Sequence, residues 1–336
     1  MKEKIAVVTG GAGFIGSHTV DLLLDRGFEV RVIDDFSGGH EENLAHHKNE
    51  PKLTIHNADI RALQPGDKAF DGAKYVFHYA GIGDIVPSIE RPIDYMDINV
   101  QGTVRVLECA RAAKVEKLVY AASSSCYGLA DTPTREDHPI TPQYPYALSK
   151  YQGEQAVFHW GKVYGLPVNA VCIFNAYGTR VRTTGAYGAV FGVFFRQKLA
   201  GKPYTVVGDG TQLRDFIYVT DVAAAFLAAA ETKVSGERFN IGAGAPQSIN
   251  HLVELIGGDV VYIPKRPGEP DITFADIGKA TSVLGWKPVV SFDDGVRRMM
   301  QQIGNWENAP LWDPDSIATA TKTWFTYLGQ RTGQGA

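Results

Sequence analysis

Gly10-Gly11-Ala12-Gly13-Phe14-Ile15-Gly16 follows directly on a β-branched run, Ile5-Ala-Val-Val-Thr9, and opens a helix-like stretch, Phe14–Arg26. Glycines let the chain turn tightly at a strand end and bring its backbone close to a ligand. A helix starting there aims its first amides, and the positive end of its dipole, at that ligand. A pyrophosphate suits such a cradle. Glycines also collect in ordinary turns, so the stretch speaks only together with its neighbours. Asp34 lies 18 residues beyond Gly16 and ends the next strand-like run, Glu29–Asp34. A carboxylate there can accept both hydroxyls of an adenosine ribose and repels a 2′-phosphate. Strand, turn, helix and acid together predict a dinucleotide site that takes NAD rather than NADP. Asp59, after the third strand, either meets the adenine amino group or is an ordinary loop acid.

Outward from this stretch, short apolar runs alternate with helical ones. Thr54–His56, Tyr75–His78, Lys117–Ala122 and Val168–Phe174 read as further strands, punctuated by Gly, Pro, Asp and Asn. Pro92–Ala113 and Tyr144–Tyr164 read as helices between them. The alternation predicts an α/β fold with a doubly wound parallel sheet of the Rossmann type, whose strands are apolar throughout because both faces are covered. The second half is less regular. Gly185-Ala-Tyr-Gly188 precedes a helix at Ala189–Ala200, and Thr220–Ala230 and Ile249–Ile256 are helix-like. We expect residues 1–174 to form the NAD-binding domain, with segments near 213–245 returning to it. Residues 175–336 then form mainly a smaller mixed α/β substrate lobe, ending in a helical extension near Ser316–Leu328.

Composition narrows the classes. The 336 residues are 44% hydrophobic, enough for a substantial core, and the net charge of −4 recruits neither nucleic acid nor an anionic membrane. Cys109, Cys126 and Cys172 show no CxxC or Cys/His spacing, so no metal centre is expected, and the usage fits a reducing compartment. The first strand begins too early to leave room for a signal peptide, and no apolar run approaches the roughly 20 residues of a membrane span. A cytoplasmic protein is expected.

Tyr146-Ala-Leu-Ser-Lys150 places two functional side chains four apart, on one face of a helix, about 6 Å apart at Cβ. A free phenol titrates at about 10, too high for a base at neutral pH. A neighbouring ammonium and the positive nicotinamide both favour the phenolate, which lowers that value. Such pairs are common on solvated helices, so the weight comes from what stands nearby. The fifth strand ends in Ser123-Ser-Ser-Cys-Tyr127-Gly128, and strand carboxyl ends face the ligand crevice of an open parallel sheet. A serine there can bond a substrate hydroxyl and share its proton with Tyr146.

With these residues in view, the chain resembles the extended short-chain dehydrogenase/reductase family, in the nucleotide-sugar epimerase/dehydratase branch, and is most similar to UDP-hexose 4-epimerases. Further marks run in order: His78-Tyr-Ala-Gly81, Asn99-Val-Gln-Gly-Thr103, Phe174-Asn175-Ala-Tyr-Gly178, Gly208–Phe216 and Arg266-Pro-Gly-Glu269. The resemblance implies a catalytic triad of Ser123, Tyr146 and Lys150. It implies cofactor contacts from Gly10, Gly13, Phe14, Ile15, Gly16, Asp34, Asp59, Ile60, Tyr79, Ala80 and Asn99, besides Tyr146 and Lys150. It places Ser88, Ser124, Ser125, Asn175, Arg214, Arg266 and Glu269 at the substrate, with both arginines on the diphosphate and Glu269 on the nucleotide ribose. Planar guanidinium groups suit phosphate oxygens; for Arg214 an internal ion pair with Asp215 or Asp221 is the other reading. A UDP-sugar and a homodimer built on the two long helices are also implied.

The resemblance also implies the opening step, in which Tyr146 takes a hexose proton, hydride leaves C4 for NAD, and a 4-keto sugar forms. Dehydratases of the family carry an Asp-Glu pair immediately after the catalytic hydroxyl residue. Ser124 and Ser125 stand at those positions here, and neither has a suitable pKa for acid–base work. A 4-epimerase needs no second acid or base, because the ketone turns and takes the hydride back on its other face. We therefore expect 4-epimerisation, with a related decarboxylation, dehydration or C2/C3,5-epimerisation as alternatives, and a non-catalytic NAD-binding module as a remote one. Asp84 either bonds sugar hydroxyls or faces solvent, and Arg180 and Arg182 either read a uronate carboxylate or belong to a basic surface loop. The tail beyond Arg298 is longer than the family core, and its Trp306, Trp312, Trp324 and Phe325 suggest a docked helix.

Overall fold

The structure is a computed structural model that describes residues 4–183 and 190–329. Its first half is built from β1 (Ile5–Thr9), α1 (Phe14–Asp25), β2 (Glu29–Asp34), β3 (Leu53–Asn57), β4 (Ala73–His78), α2 (Ile85–Glu90), α3 (Pro92–Met96), α4 (Thr103–Ala113), β5 (Lys117–Ser123), α5 (Pro145–Tyr164) and β6 (Val168–Ile173). Then follow β7 (Asn175–Tyr177), α6 (Val190–Leu199), β8 (Tyr204–Val207), β9 (Leu213–Arg214), β10 (Phe216–Tyr218), α7 (Val219–Glu231) and β11 (Glu237–Ile241). The chain closes with β12 (Gln247–Ser248), α8 (Ile249–Ile256), β13 (Val260–Ile263), α9 (Gly278–Leu284), α10 (Phe292–Met300) and α11 (Pro314–Leu328).

Seven strands form one sheet in the order β11-β6-β5-β4-β1-β2-β3, every pair parallel. The strand order reverses between β1 and β4, which opens the crevice at their carboxyl ends. Side-chain alternation explains the uniformly apolar strands. Ala6 and Val8 of β1, with Val119 and Ala121 of β5, face the core under α1 and α7, where Phe28 and Phe226 also pack. Val7, with Leu118, Tyr120 and Ala122, faces the opposite core, under α4 and α5. A third cluster gathers Tyr177, Phe191, Phe195, Phe216, Phe292 and Trp306 beyond the sheet's carboxyl edge.

Within the 213–245 segment, α7 packs on α1 and β11 extends the main sheet beside β6. Leu213–Arg214 and Phe216–Tyr218 instead pair in two-stranded sheets with β12 and β7. The stretch read as one helix over Pro92–Ala113 is α3 and α4 joined by a π-helical turn at Asp97–Gly102. One extra residue in a helical turn leaves the apolar spacing nearly unchanged, so the sequence does not betray it. The helix α2 escapes sequence reading because it is six residues long and contains Pro87. Gly185–Gly188 and Ala189, read as the lead-in to a helix, lie outside the described residues. α5 starts with Pro145 in its first turn and stops at Gly165, whose φ of 68° a Cβ would strain. Those two signals hold Tyr146 and Lys150 in the opening turns of a 20-residue helix.

Candidate active site

At the β1–α1 turn the glycines are sterically required. A Cβ on Gly16 would lie 2.1 Å from the Gly10 carbonyl oxygen, and one on Gly10 would lie 2.7 Å from the Ala80 amide nitrogen. No side chain caps α1 and no acid sits in its first turn, so its leading amides are left for an anion. Asp34 accepts from the Ala12 and Phe36 amides, each at 2.9 Å. Burial pushes its carboxyl up, and those two amides pull it back toward the ionised form. The donor set and the close backbone approach that the glycines allow fit a pyrophosphate, with an adenosine ribose beside Asp34. Phe14 and Ile15 lead α1 toward the third cluster. Ile60 is buried against Gly102, where a Cβ would meet its Cδ1 at 2.5 Å.

Two of the residues expected at the cofactor also have partners within the protein. The Asp59 carboxylate is engaged by Arg61, at 2.6 Å, and caps the Arg61 amide. The Tyr79 phenol meets the Thr19 hydroxyl at 2.7 Å, and its ring packs on Phe226 at 4.4 Å, so that side chain belongs to the α1–α7 packing. The Tyr79 and Ala80 amides both donate to the Thr9 carbonyl.

Ser123 and Tyr146 meet at the carboxyl end of β5, and Lys150 follows one turn later on α5. The Tyr146 hydroxyl donates to Ser123 Oγ at 3.4 Å, and Ser123 Oγ lies 2.8 Å from Ser125 Oγ. Burial pushes the Tyr146 phenol up to about 12, against the pull of Ser123. Burial lowers the Lys150 ammonium to about 8, opposed by Cys126 and Glu154, and it rests over the Tyr120 ring at 4.4 Å. Asn99, in the π-helical turn, is fully engaged. Its amide donates to the Ile82 carbonyl at 3.0 Å and to Ser149 Oγ at 2.9 Å, while its oxygen accepts from the Ile82 amide. Ser149 in turn donates to the Tyr146 carbonyl. Asn99 thus fixes both the loop after β4 and the turn of α5 that carries the tyrosine.

A cavity of about 370 Å³ adjoins this cluster. Ser123, Ser124, Ser125, Asn175, Arg214, Arg266 and Glu269 line it. Ser88 does not. It is fully buried, and its hydroxyl donates to the Ile85 carbonyl at 2.6 Å, inside α2. Arg214 pairs with Glu269 at 2.8 Å, not with Asp215 or Asp221, whose carboxylates are spent on backbone amides. Arg266 reaches the same glutamate at 3.6 Å. Glu269 therefore stands between the two arginines. Asn175 Oδ1 accepts from the Thr273 hydroxyl at 2.6 Å.

Asp84 lines the cavity and pairs with Arg182, so its charge is neutralised within the protein. Its φ of +76° is unusual for a residue with a Cβ. Tyr95 holds that loop by donating to the Gly83 and Asp84 carbonyls, and its ring sits edge-on to Tyr146 at 6.3 Å. Arg180 is placed elsewhere, on the Asp21 carboxylate at 2.8 Å, which His46 and His47 also meet. Ligand atoms of Asp21, His46 and His47 lie within 4.8 Å of one another, a grouping hidden in the sequence by the distance to Asp21. Arg180 already supplies the positive charge there. Sequence reading also missed Tyr144, stacked nearly parallel to Tyr146 at 6.4 Å, and His78, buried between Thr9 and Thr103. His78 stood in a quoted motif, which was its one signal.

Residues 6–242 match the NAD dependent epimerase/dehydratase family. A putative UDP-glucose 4-epimerase of Methanocaldococcus jannaschii is 38% identical, covering 89% of this chain and 98% of that protein. Among solved structures, the UDP-N-acetylglucosamine 4-epimerase of Methanobrevibacter ruminantium, in complex with UDP-N-acetylmuramic acid, superposes with a TM-score of 0.83 at 32% identity, covering 90% of this chain and all of that one. The UDP-glucuronic acid 4-epimerase of Bacillus cereus, with UDP-glucuronic acid and NAD, gives 0.82 at 31% identity, covering 90% and 99%. Among the described residues no helix is long and apolar enough to cross a membrane.

Proposed function

The chain belongs to the NAD-dependent epimerase/dehydratase family, and from that premise we propose that it is an NAD-dependent 4-epimerase of a UDP-linked sugar. The observation that carries the reading is the Tyr146–Ser123 contact opening on a cavity whose next two residues, Ser124 and Ser125, are hydroxyls. A 4-epimerisation asks for one proton carrier and no second acid or base; elimination of water asks for more than those serines provide.

Gly10, Gly13 and Gly16 would hold the NAD pyrophosphate, and Asp34 the adenosine ribose. Bound NAD supplies a hydride acceptor and donor at the sugar C4, together with a positive charge that favours the Tyr146 phenolate. Tyr146 takes the C4 hydroxyl proton and later returns it, while Ser123 bonds the same oxygen. Lys150 presents its ammonium from the next turn of α5. Asn99, through Ser149, keeps that turn in place. Arg214 and Arg266 receive the sugar diphosphate in exchange for Glu269, which is then released toward the nucleotide ribose. Three buried, unpaired cysteines support a reducing, cytoplasmic setting. Exposed apolar side chains on α3 and α5 support a homodimer.

The test is a panel of UDP-sugars (glucose, N-acetylglucosamine and glucuronate) in deuterated water, with products read by NMR. The expected result is inversion at C4 without deuterium at C3, C5 or C6. Deuterium at those carbons, or release of carbon dioxide, would overturn the assignment in favour of enolisation, elimination or decarboxylation.

A further inference from the structure

α11 lies outside the span that matches the family, yet it reaches the cavity. Trp324 lines the same space as Ser124, Tyr144 and Arg214 and is only 6% exposed. Its indole N–H donates to the Pro267 carbonyl at 2.8 Å. The guanidinium of Arg266, one residue earlier, lies over the indole ring at 5.6 Å from the centroid, within cation–π range. On the adjoining residue, the Thr323 hydroxyl donates to Glu90 Oε1 at 3.1 Å. Glu90 ends α2, on which α11 packs, and α2 begins with Ile85 and Val86, which line the cavity too.

One helix therefore touches two walls that the rest of the chain builds from segments about 180 residues apart in sequence. We propose that α11 is a clamp on the substrate cavity, in which Trp324 forms part of the wall and positions Arg266 for the diphosphate of the nucleotide sugar. The proposal rests on the reading of this cavity as a nucleotide-sugar site. A planar ring beneath a guanidinium restricts its rotamers, and the bond to Pro267 fixes the backbone next to it; both lower the entropy lost when a phosphate is bound. The diphosphate is remote from C4, where bonds change, so an interaction made there acts on ground state and transition state alike. Its loss raises KM and leaves kcat in place.

The experiment uses the full chain with its NAD, as wild type, Trp324→Ala, Trp324→Phe, Arg266→Ala and the Trp324→Ala/Arg266→Ala double variant. UDP affinity is measured by titration calorimetry, and KM and kcat with the UDP-sugar that wild type epimerises. Trp324→Ala is expected to weaken UDP binding and raise KM by about tenfold, with kcat within about twofold and NAD content unchanged. Trp324→Phe, which keeps a ring under Arg266, recovers most of that loss. In the Arg266→Ala background the change at Trp324 costs no further affinity, because the two act as one unit. Unchanged UDP affinity and KM in Trp324→Ala would overturn the clamp, as would parallel losses of kcat, NAD and melting temperature that Phe does not rescue. Wild-type protein that binds no UDP would bring down the nucleotide-sugar reading itself, and the clamp with it.

Discussion

Tyr146 carries the proton in the proposed reaction, so Tyr146→Phe removes the chemistry without removing a contact that binds the dinucleotide backbone. Turnover is expected to fall by about 10²–10⁴-fold, with NAD content and melting temperature close to wild type; measurable wild-type kcat in this variant would refute the role. His78 gives a second residue-scale expectation. Burial, with Lys150 nearby, lowers its imidazole to about 3, and burial lowers His18 to about 4. A histidine with a depressed native pKa binds fewer protons folded than unfolded between that value and about 6.5. Stability from such a group is complete above about pH 6.5 and is lost as pH falls toward 3–4, at about 1.4 kcal/mol for each tenfold difference in proton affinity between the folded and unfolded chain. Urea midpoints taken from about pH 7.5 to 4.5 are expected to fall steadily, and to fall less in His78→Gln, which can still bond Thr9 and Thr103. Equal slopes for the two proteins would show that His78 is not the source.

The catalytic helix α5 is anchored to the edge of the sheet by a buried ion pair. Glu154 is 1% exposed and takes a bidentate grip from Arg238 of β11, at 2.7 and 2.5 Å. Removing one partner leaves the other charge buried, so Glu154→Ala is expected to cost about 3–5 kcal/mol in denaturant unfolding, whereas Glu154→Leu with Arg238→Met recovers most of it. A cost below about 1 kcal/mol for the single variant would contradict this. The same pair shows which parts of the site a sequence can carry. Ser123, Tyr146, Lys150, Asp34 and the glycines sit at strand ends and helix starts, so local periodicity locates them. Glu154–Arg238, Asp84–Arg182 and Arg214–Glu269 join residues 84, 98 and 55 positions apart. Nothing in either member's neighbourhood names the other, and Trp324 is likewise remote in sequence from most other residues of the cavity wall. The π-helical turn around Asn99 was illegible for a different cause: it changes the helix by one residue and leaves the spacing almost untouched.

At the scale of the molecule, α3 and α5 leave apolar side chains uncovered. Ile93 is 73% exposed, and Leu148, Val163 and Tyr164 are exposed on α5. We expect these helices to pair with those of a second copy. Sedimentation at micromolar concentration should give twice the 36.6 kDa chain mass, and Val163→Asp should shift the population toward monomer; a wild-type monomer would defeat the prediction.

The place of β11 in the sheet has a consequence for how the polypeptide is made. The strand that covers the outer edge of β6 is encoded 64 residues after β6 ends, beyond α6, β8 and α7. A ribosome adding about 5–20 residues per second takes several seconds to deliver it. If the first six strands pair as they emerge, Val168–Ile173 is the margin of the sheet during that interval, the kind of edge on which neighbouring chains aggregate. We expect translation speed across this interval, and chaperones that shield the margin during it, to change the yield of native enzyme without altering any contact in the finished protein.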